Sequence, residues 1–286
     1  GGHGAGADRM LTAQHQGVQT QIEHSRRRPL HGFHDRFRCT EGDVHSTQIG
    51  IGQILQIQIQ LRAIGFQALA DLTDRCRSET GARPEGGGAV QAATVTVLAL
   101  GLKPLMLGGE HSISSGAVAA VAEQHPDLVL VQLDAHADLR EEWLGARHSH
   151  ACAMRRCLEV LPSGDLLQLA IRSGTRDEFH ELHSSGRRMD DVQALRDAMA
   201  PWTGRPIYLT VDLDWFDPAV LPGTGTPEPG GFLWRDFAAV VDVLRRHRLV
   251  AADVVELAPQ LDSSGVSSVL AAKVTRSLIL LMGADQ

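Results

Sequence analysis

Five apolar runs, none longer than eight residues, punctuate the chain at Lys103–Leu107, Leu128–Leu133, Leu166–Ile171, Ile207–Leu213 and Val250–Leu257. Runs this short and this largely apolar fit strands covered on both faces, because a strand with one wet face alternates polar and apolar residues. The stretches between them carry helical spacing. Ser114–Gln124, Asp190–Met199, Leu233–His247 and Val266–Met282 read as helices, several with Asp or Ser near the start to cap the first turn. Strands alternating with helices predict βαβ units, and so an α/β fold of three αβα layers with a largely parallel, doubly wound sheet. Such a sheet gathers ligands beyond the carboxyl ends of its strands, so the residues that directly follow each run are where chemistry is expected.

The pattern resumes from about residue 91 to 286, which reads as one domain; residues 1–90 differ, being crowded with Gln, His, Arg and Gly. Within that region the Ile/Gln alternation from Gly50 to Gln60 has the period of a strand, and Gly86-Gly87-Gly88 reads as a linker. With 34 acidic against 27 basic residues and a formal charge of -7, the chain lacks the basic excess that nucleic acid or an anionic membrane requires. The expected partner is a small molecule. No uninterrupted apolar run approaches the roughly 20 residues that span a bilayer, and no signal-peptide succession is visible, so the expected location is cytoplasmic. Cys39, Cys76, Cys152 and Cys157 show no paired spacing and are expected to be inert thiols, not a zinc site or a disulfide frame.

Three strand ends carry the chemistry. The run Leu128–Leu133 leads into Asp134-Ala135-His136-Ala137-Asp138, which places two carboxylates and an imidazole within five positions. The run Ile207–Leu213 delivers Asp212 and Asp214, two apart and therefore on one side of an extended chain. The first run leads into Gly108-Gly109-Glu110-His111-Ser112, whose glycines permit a tight turn that projects His111 to the same rim. Four Asp and two His form an oxygen-rich set without thiolate, which suits Mn²⁺ better than zinc, although other divalent ions share this preference. Any one of these residues alone reads as a helix cap or a satisfied core histidine. Six together at strand ends point to a pair of cations that holds and ionises a bridging water.

In this order, GGEHS, DAHAD and DLDWFDPAVLPGTGTPEPGG resemble the signature segments of the ureohydrolases: arginase, agmatinase and formimidoylglutamase. The resemblance covers roughly residues 95–283 and is closest to agmatinase. It implies two Mn²⁺ per subunit, with His111, Asp134, His136, Asp138, Asp212 and Asp214 as ligands. It further implies that His150 moves a proton to the leaving amine, with neighbouring His148 as the competing candidate. Glu256 would pair with the substrate guanidinium, and Thr226 would line the pocket, while Asp217 fixes the turn before Pro218. Glu110 stands where many relatives have Asp and is expected to act on contacts around the neighbouring ligand. The implied reaction is hydrolysis of agmatine to urea and putrescine in polyamine synthesis, by a homo-oligomer that is trimeric or hexameric. The SHACAMRR run resembles agmatinases and lacks the segment with which arginases hold the amino-acid end of arginine. Other guanidino substrates, and a scaffold protein that keeps the fold without turnover, are the alternatives. The family's first strand and Gly-rich loop have no clear counterpart in residues 1–90. The composition shift near Glu79 is therefore expected to mark a segment foreign to the family or read out of frame.

Overall fold

A computed structural model describes the backbone of residues 56–59 and residues 87–283, both within one compact unit, Gly50–Gln286. The expectations for the rest of residues 1–90, Cys39 and Cys76 included, lie outside the described residues. Among the described residues seven strands form one sheet: β1 (Gln56–Ile59), β2 (Pro104–Leu107), β3 (Val129–Leu133), β4 (Leu166–Leu169), β5 (Arg188–Met189), β6 (Pro206–Asp212) and β7 (Arg248–Val255). Their order is β1-β2-β7-β6-β3-β4-β5, with β1 antiparallel to β2 and every other pairing parallel. The Ile/Gln alternation thus does form a strand, at the sheet edge.

Alternation along the strands sends side chains to two separate cores. Val129, Val131 and Leu133 of β3 join Ile207, Leu209 and Val211 of β6 on one face. The helices α5 (Val192–Met199), α6 (Trp234–Leu244) and α7 (Val266–Gly283) cover that face through Leu195, Phe237, Val240, Val274 and Leu278. Leu128, Leu130, Leu166 and Tyr208 point the other way. There they meet α1 (Gly88–Ala99), α2 (Ser114–Gln124), α3 (Ala153–Val160) and α4 (Arg176–Ser185) through Val90, Val118, Val121, Met154 and Leu182. The three-layer arrangement expected from the sequence is the one observed. By length and a mean hydropathy of 1.4, α7 matches a membrane span, yet Ala271, Val274, Leu278 and Leu281 lie in the core.

Three helices and one strand were not anticipated. The helix α1 begins at Gly88, within the glycines read as a linker, and its even scatter of Ala and Val gives no apolar stripe to detect. It crosses α2 so closely that a Cβ on Gly116 would lie 2.3 Å from the Gly87 carbonyl oxygen. The start of α4 did carry a signal: Thr175 accepts from the Glu178 amide at 3.3 Å while the Glu178 carboxylate accepts from the Thr175 amide at 2.7 Å. Its last turn closes on Gly186 at φ 68°, the left-handed position glycine favours. The expected runs 166–171 and 250–257 stop earlier, because Ala170 (φ 75°) and Glu256 (φ 63°) leave the extended region. Asp138 (φ 54°) does the same beyond β3. Left-handed backbone at side-chain-bearing residues is uncommon, and here it aims two carboxylates where straight strands would not.

Candidate metal centre

The carboxyl ends of β2, β3 and β6 bring all six expected donors together. One nitrogen, His111 Nδ1, lies 3.2 Å from Asp134 Oδ2, 3.0 Å from Asp138 Oδ2 and 3.2 Å from Asp212 Oδ2. On the other side of Asp134, His136 Nδ1 sits 2.9 Å from Asp214 Oδ2 and 3.7 Å from Asp134 Oδ1. Donor atoms of His111, Asp134 and Asp212 all fall within 4.8 Å of one another, as do those of Asp134, His136 and Asp214. Two donor triads therefore share Asp134.

Hydrogen bonds around the triads decide which atoms face inward. His111 Nε2 is 2.9 Å from Thr210 Oγ1, and the Thr210 hydroxyl donates to Asp253 at 2.6 Å. Since its single proton goes to Asp253, the Thr210 oxygen accepts from His111 Nε2–H, so that in the neutral ring Nδ1 is the lone-pair atom. Tyr208 donates to the other Asp253 oxygen at 2.7 Å, so the buried carboxylate is held from both sides. Gln132 donates to Asp134 Oδ2 at 2.6 Å and is itself held by Gln168, also at 2.6 Å. The Ala135 amide donates to Asp214 at 3.0 Å, and the Asp214 amide to Asp212 at 2.9 Å.

These contacts test whether the donors suit a cation. Three carboxylate oxygens surround the buried His111 Nδ1, yet none is aligned to accept a proton from it. One ring proton could not serve three acceptors in any case, whereas a divalent cation can accept from all four atoms at once. The electrostatics agree. Burial, then the charges of Asp138 and Asp214, push the Asp134 carboxyl up to about 8. Asp212 is raised too, by burial and by Asp214 and Asp134. Burial disfavours the His136 cation, but the bond to Asp214 outweighs it and raises that imidazole to about 9. Four carboxylates in a dry site repel one another, and a bound cation reverses that penalty. The residues present fit a pair of divalent ions.

The rim carries the remaining expected residues. Thr226 donates to Asp214 Oδ2 at 3.2 Å, which ties the 222–231 loop to the centre. Asp217 fixes its turn as expected, accepting from Ala219 at 2.9 Å, Gly230 at 2.9 Å and Gly231 at 3.0 Å. The Glu256 carboxylate accepts from the His111 amide at 2.8 Å, and burial raises its pKa against the pull of that amide. His150 opens a short turn, His150–Cys152, with its side chain about half exposed. Its Nδ1 is 3.2 Å from Glu110 Oε1, a bond that holds the imidazole pKa above its ordinary value. Burial pushes the Glu110 carboxyl up, but the bonds from His150 and Ser112 outweigh it and leave its pKa low. His148 is exposed. Cys152 and Cys157 are buried free thiols, and burial pushes both pKa values up, in keeping with inert cysteines.

Sequence reasoning missed Thr210, Asp253, Gln132, Gln168 and Arg172. Arg172 donates to the Asp214 carbonyl at 2.7 Å and the Glu228 carbonyl at 2.8 Å, binding the pocket loop to the end of β6. A signal existed for the strand residues, since polar side chains inside apolar runs need buried partners. Thr210→Val is expected to keep the fold while orphaning His111 Nε2–H. Metal affinity should fall about 10- to 100-fold, the usual loss when a ligand's supporting bond is removed, read by competition with a fluorescent chelator.

A sequence model described as the arginase family matches residues 23–281. The agmatinase of Bacillus cereus is 36% identical over 182 residues, covering 62% of this chain and 63% of that protein. Proclavaminate amidinohydrolase of Streptomyces clavuligerus is 34% identical over 195 residues, covering 61% of this chain and 60% of that protein. The chain thus spans less than two thirds of the length of either. The crystal structure of agmatine ureohydrolase of Thermoplasma volcanium superposes with a TM-score of 0.57 at 34% identity, covering 68% of this chain and 67% of that one.

Proposed function

The chain belongs to the arginase family, and from that premise we propose that it hydrolyses the guanidino group of agmatine, releasing urea and putrescine. The observation that carries this reading is the pair of donor triads sharing Asp134, with His150 and Glu256 at their rim. Mn²⁺ is the ion we assign, because the donors are four carboxylates and two imidazoles with no thiolate. When bound, two such ions supply an ionised water at neutral pH and positive charge beside the reacting carbon.

Everything else falls to the chain itself. His111, Asp134, Asp138 and Asp212 would hold one ion, and Asp134, His136 and Asp214 the other. The carboxylate of Glu256 suits the planar fork of donors on a guanidinium and would fix the substrate's plane. Glu110 holds the His150 pKa above the ordinary imidazole value, which favours the protonated ring that can give its proton to the departing amine. Thr226 holds Asp214 and the loop over the site. Relatives of similar identity carry names that specify other compounds, so the choice of agmatine rests on contacts to the part of the substrate beyond its guanidinium.

Urea release with added Mn²⁺ should be measured on agmatine, arginine and 4-guanidinobutyrate, and formamide release on formimidoylglutamate. The expected result is a kcat/KM highest for agmatine. A higher value for another guanidine would replace the substrate, and no turnover on any of them would overturn the activity.

A further inference from the structure

Glu110 directly precedes a metal-ligand candidate, and from the sequence alone it should serve that ligand. The structure sends its carboxylate elsewhere. The described side-chain contacts of His111 are with Asp134, Asp138, Asp212 and Thr210. Glu110 instead crosses to the turn that begins at His150, forty residues along the chain. Its Oε1 accepts from the His150 backbone amide and lies 3.2 Å from His150 Nδ1. Its Oε2 accepts from the Ser112 amide at 3.2 Å and from the Ser112 hydroxyl. The carboxylate therefore clamps two short turns, His111–Ile113 and His150–Cys152, holding His150 by its backbone amide with the ring nitrogen at ion-pair distance.

We propose that Glu110 is the positioning residue that orients His150 for proton transfer, by fixing which of its ring nitrogens carries the permanent proton. An ionised carboxylate can only accept, so Nδ1 must be the nitrogen that keeps its hydrogen. The proton passed to the leaving amine is then carried at Nε2, on the opposite side of the ring, and Nε2 recovers it afterwards. A neutral imidazole in water favours the other tautomer, with the proton on Nε2 and the lone pair on Nδ1. Without Glu110 the ring would be free to take the other tautomer, the outcome when the acid behind a catalytic histidine loses its charge. The proposal rests on the reading of His150 as proton donor, and its test separates the two.

Nitrogen NMR of histidine-labelled protein, in alkaline solution where the ring is neutral, should show His150 as the Nδ1–H tautomer. Glu110→Ala should shift it toward Nε2–H. With agmatine and Mn²⁺, Glu110→Ala should lower kcat about 100-fold, within the range a positioned proton donor contributes, with KM and metal content nearly unchanged. Wild-type His150 in the Nε2–H form overturns the proposal, as does a Glu110→Ala variant with the wild-type tautomer. If wild-type protein turns over no guanidine, the proposed activity fails, and the tautomer result alone decides the role of Glu110.

Discussion

Asp134→Asn is expected to strip both halves of the centre and lower urea release about 1000-fold or more, since cation stabilisation of several kcal/mol is lost at about 1.4 kcal/mol per decade. No other residue belongs to both donor triads. Asparagine keeps the shape and the acceptor that the His136 amide uses at 2.6 Å, so local structure should survive once the Gln132 amide, which donates to Oδ2, turns to meet the new NH2. In chelator-treated protein the same substitution should leave the melting temperature unchanged or raised. The reason is that the Asp134 carboxyl is pushed up to about 8 by burial and by its like-charged neighbours, so its charge is a burden until a cation arrives. A structural salt bridge would behave in the opposite way, and a variant that keeps activity within tenfold of wild type would remove Asp134 from the centre.

His150→Gln is expected to lower kcat by about 100- to 10 000-fold, the contribution of a positioned acid or base. KM and bound metal should stay near wild type. His150 is about half exposed, and its described side-chain contact is with Glu110, so little packing is lost. Steady-state kinetics on agmatine together with metal analysis would check both points. A matching loss of metal would make His150 a ligand instead of a proton donor.

The two variants probe the part of the molecule that was most legible in the sequence. All six donors were readable because each lies at, or a few residues beyond, the end of a short apolar run, and a parallel sheet places such residues at one edge. Register does the rest: Leu133 pairs with Val211, which sets Asp134 beside Asp212. Less legible were the residues that hold the donors. Thr210 and Asp253 sit inside strands, where β-propensity and burial hide a polar role until the neighbouring strand is known. Gln132 and Gln168 looked like minor interruptions, yet they meet across β3 and β4 because those strands pair residue for residue. The role of Glu110 was invisible for the same reason. Sequence proximity tied it to His111, while the fold brought His150 within reach of its longer side chain.

Backbone departures were the other unreadable feature. Asp138 and Glu256 adopt positive φ without being glycine, and no local pattern announces that. In both, the turn aims a carboxylate toward the His111 segment, so the strain coincides with the site. The helix α1 was missed for an unrelated reason, because it lacks a polar face to contrast with its buried one.

The most direct measurement is the number of manganese ions retained per chain after loading and removal of free ion, by elemental mass spectrometry on wild type and Asp134→Asn side by side. Two ions in the wild type and a near-complete loss in the variant are predicted, as the shared triads require. A wild type that retains one ion or none, or a variant that retains as much as wild type, would contradict the account.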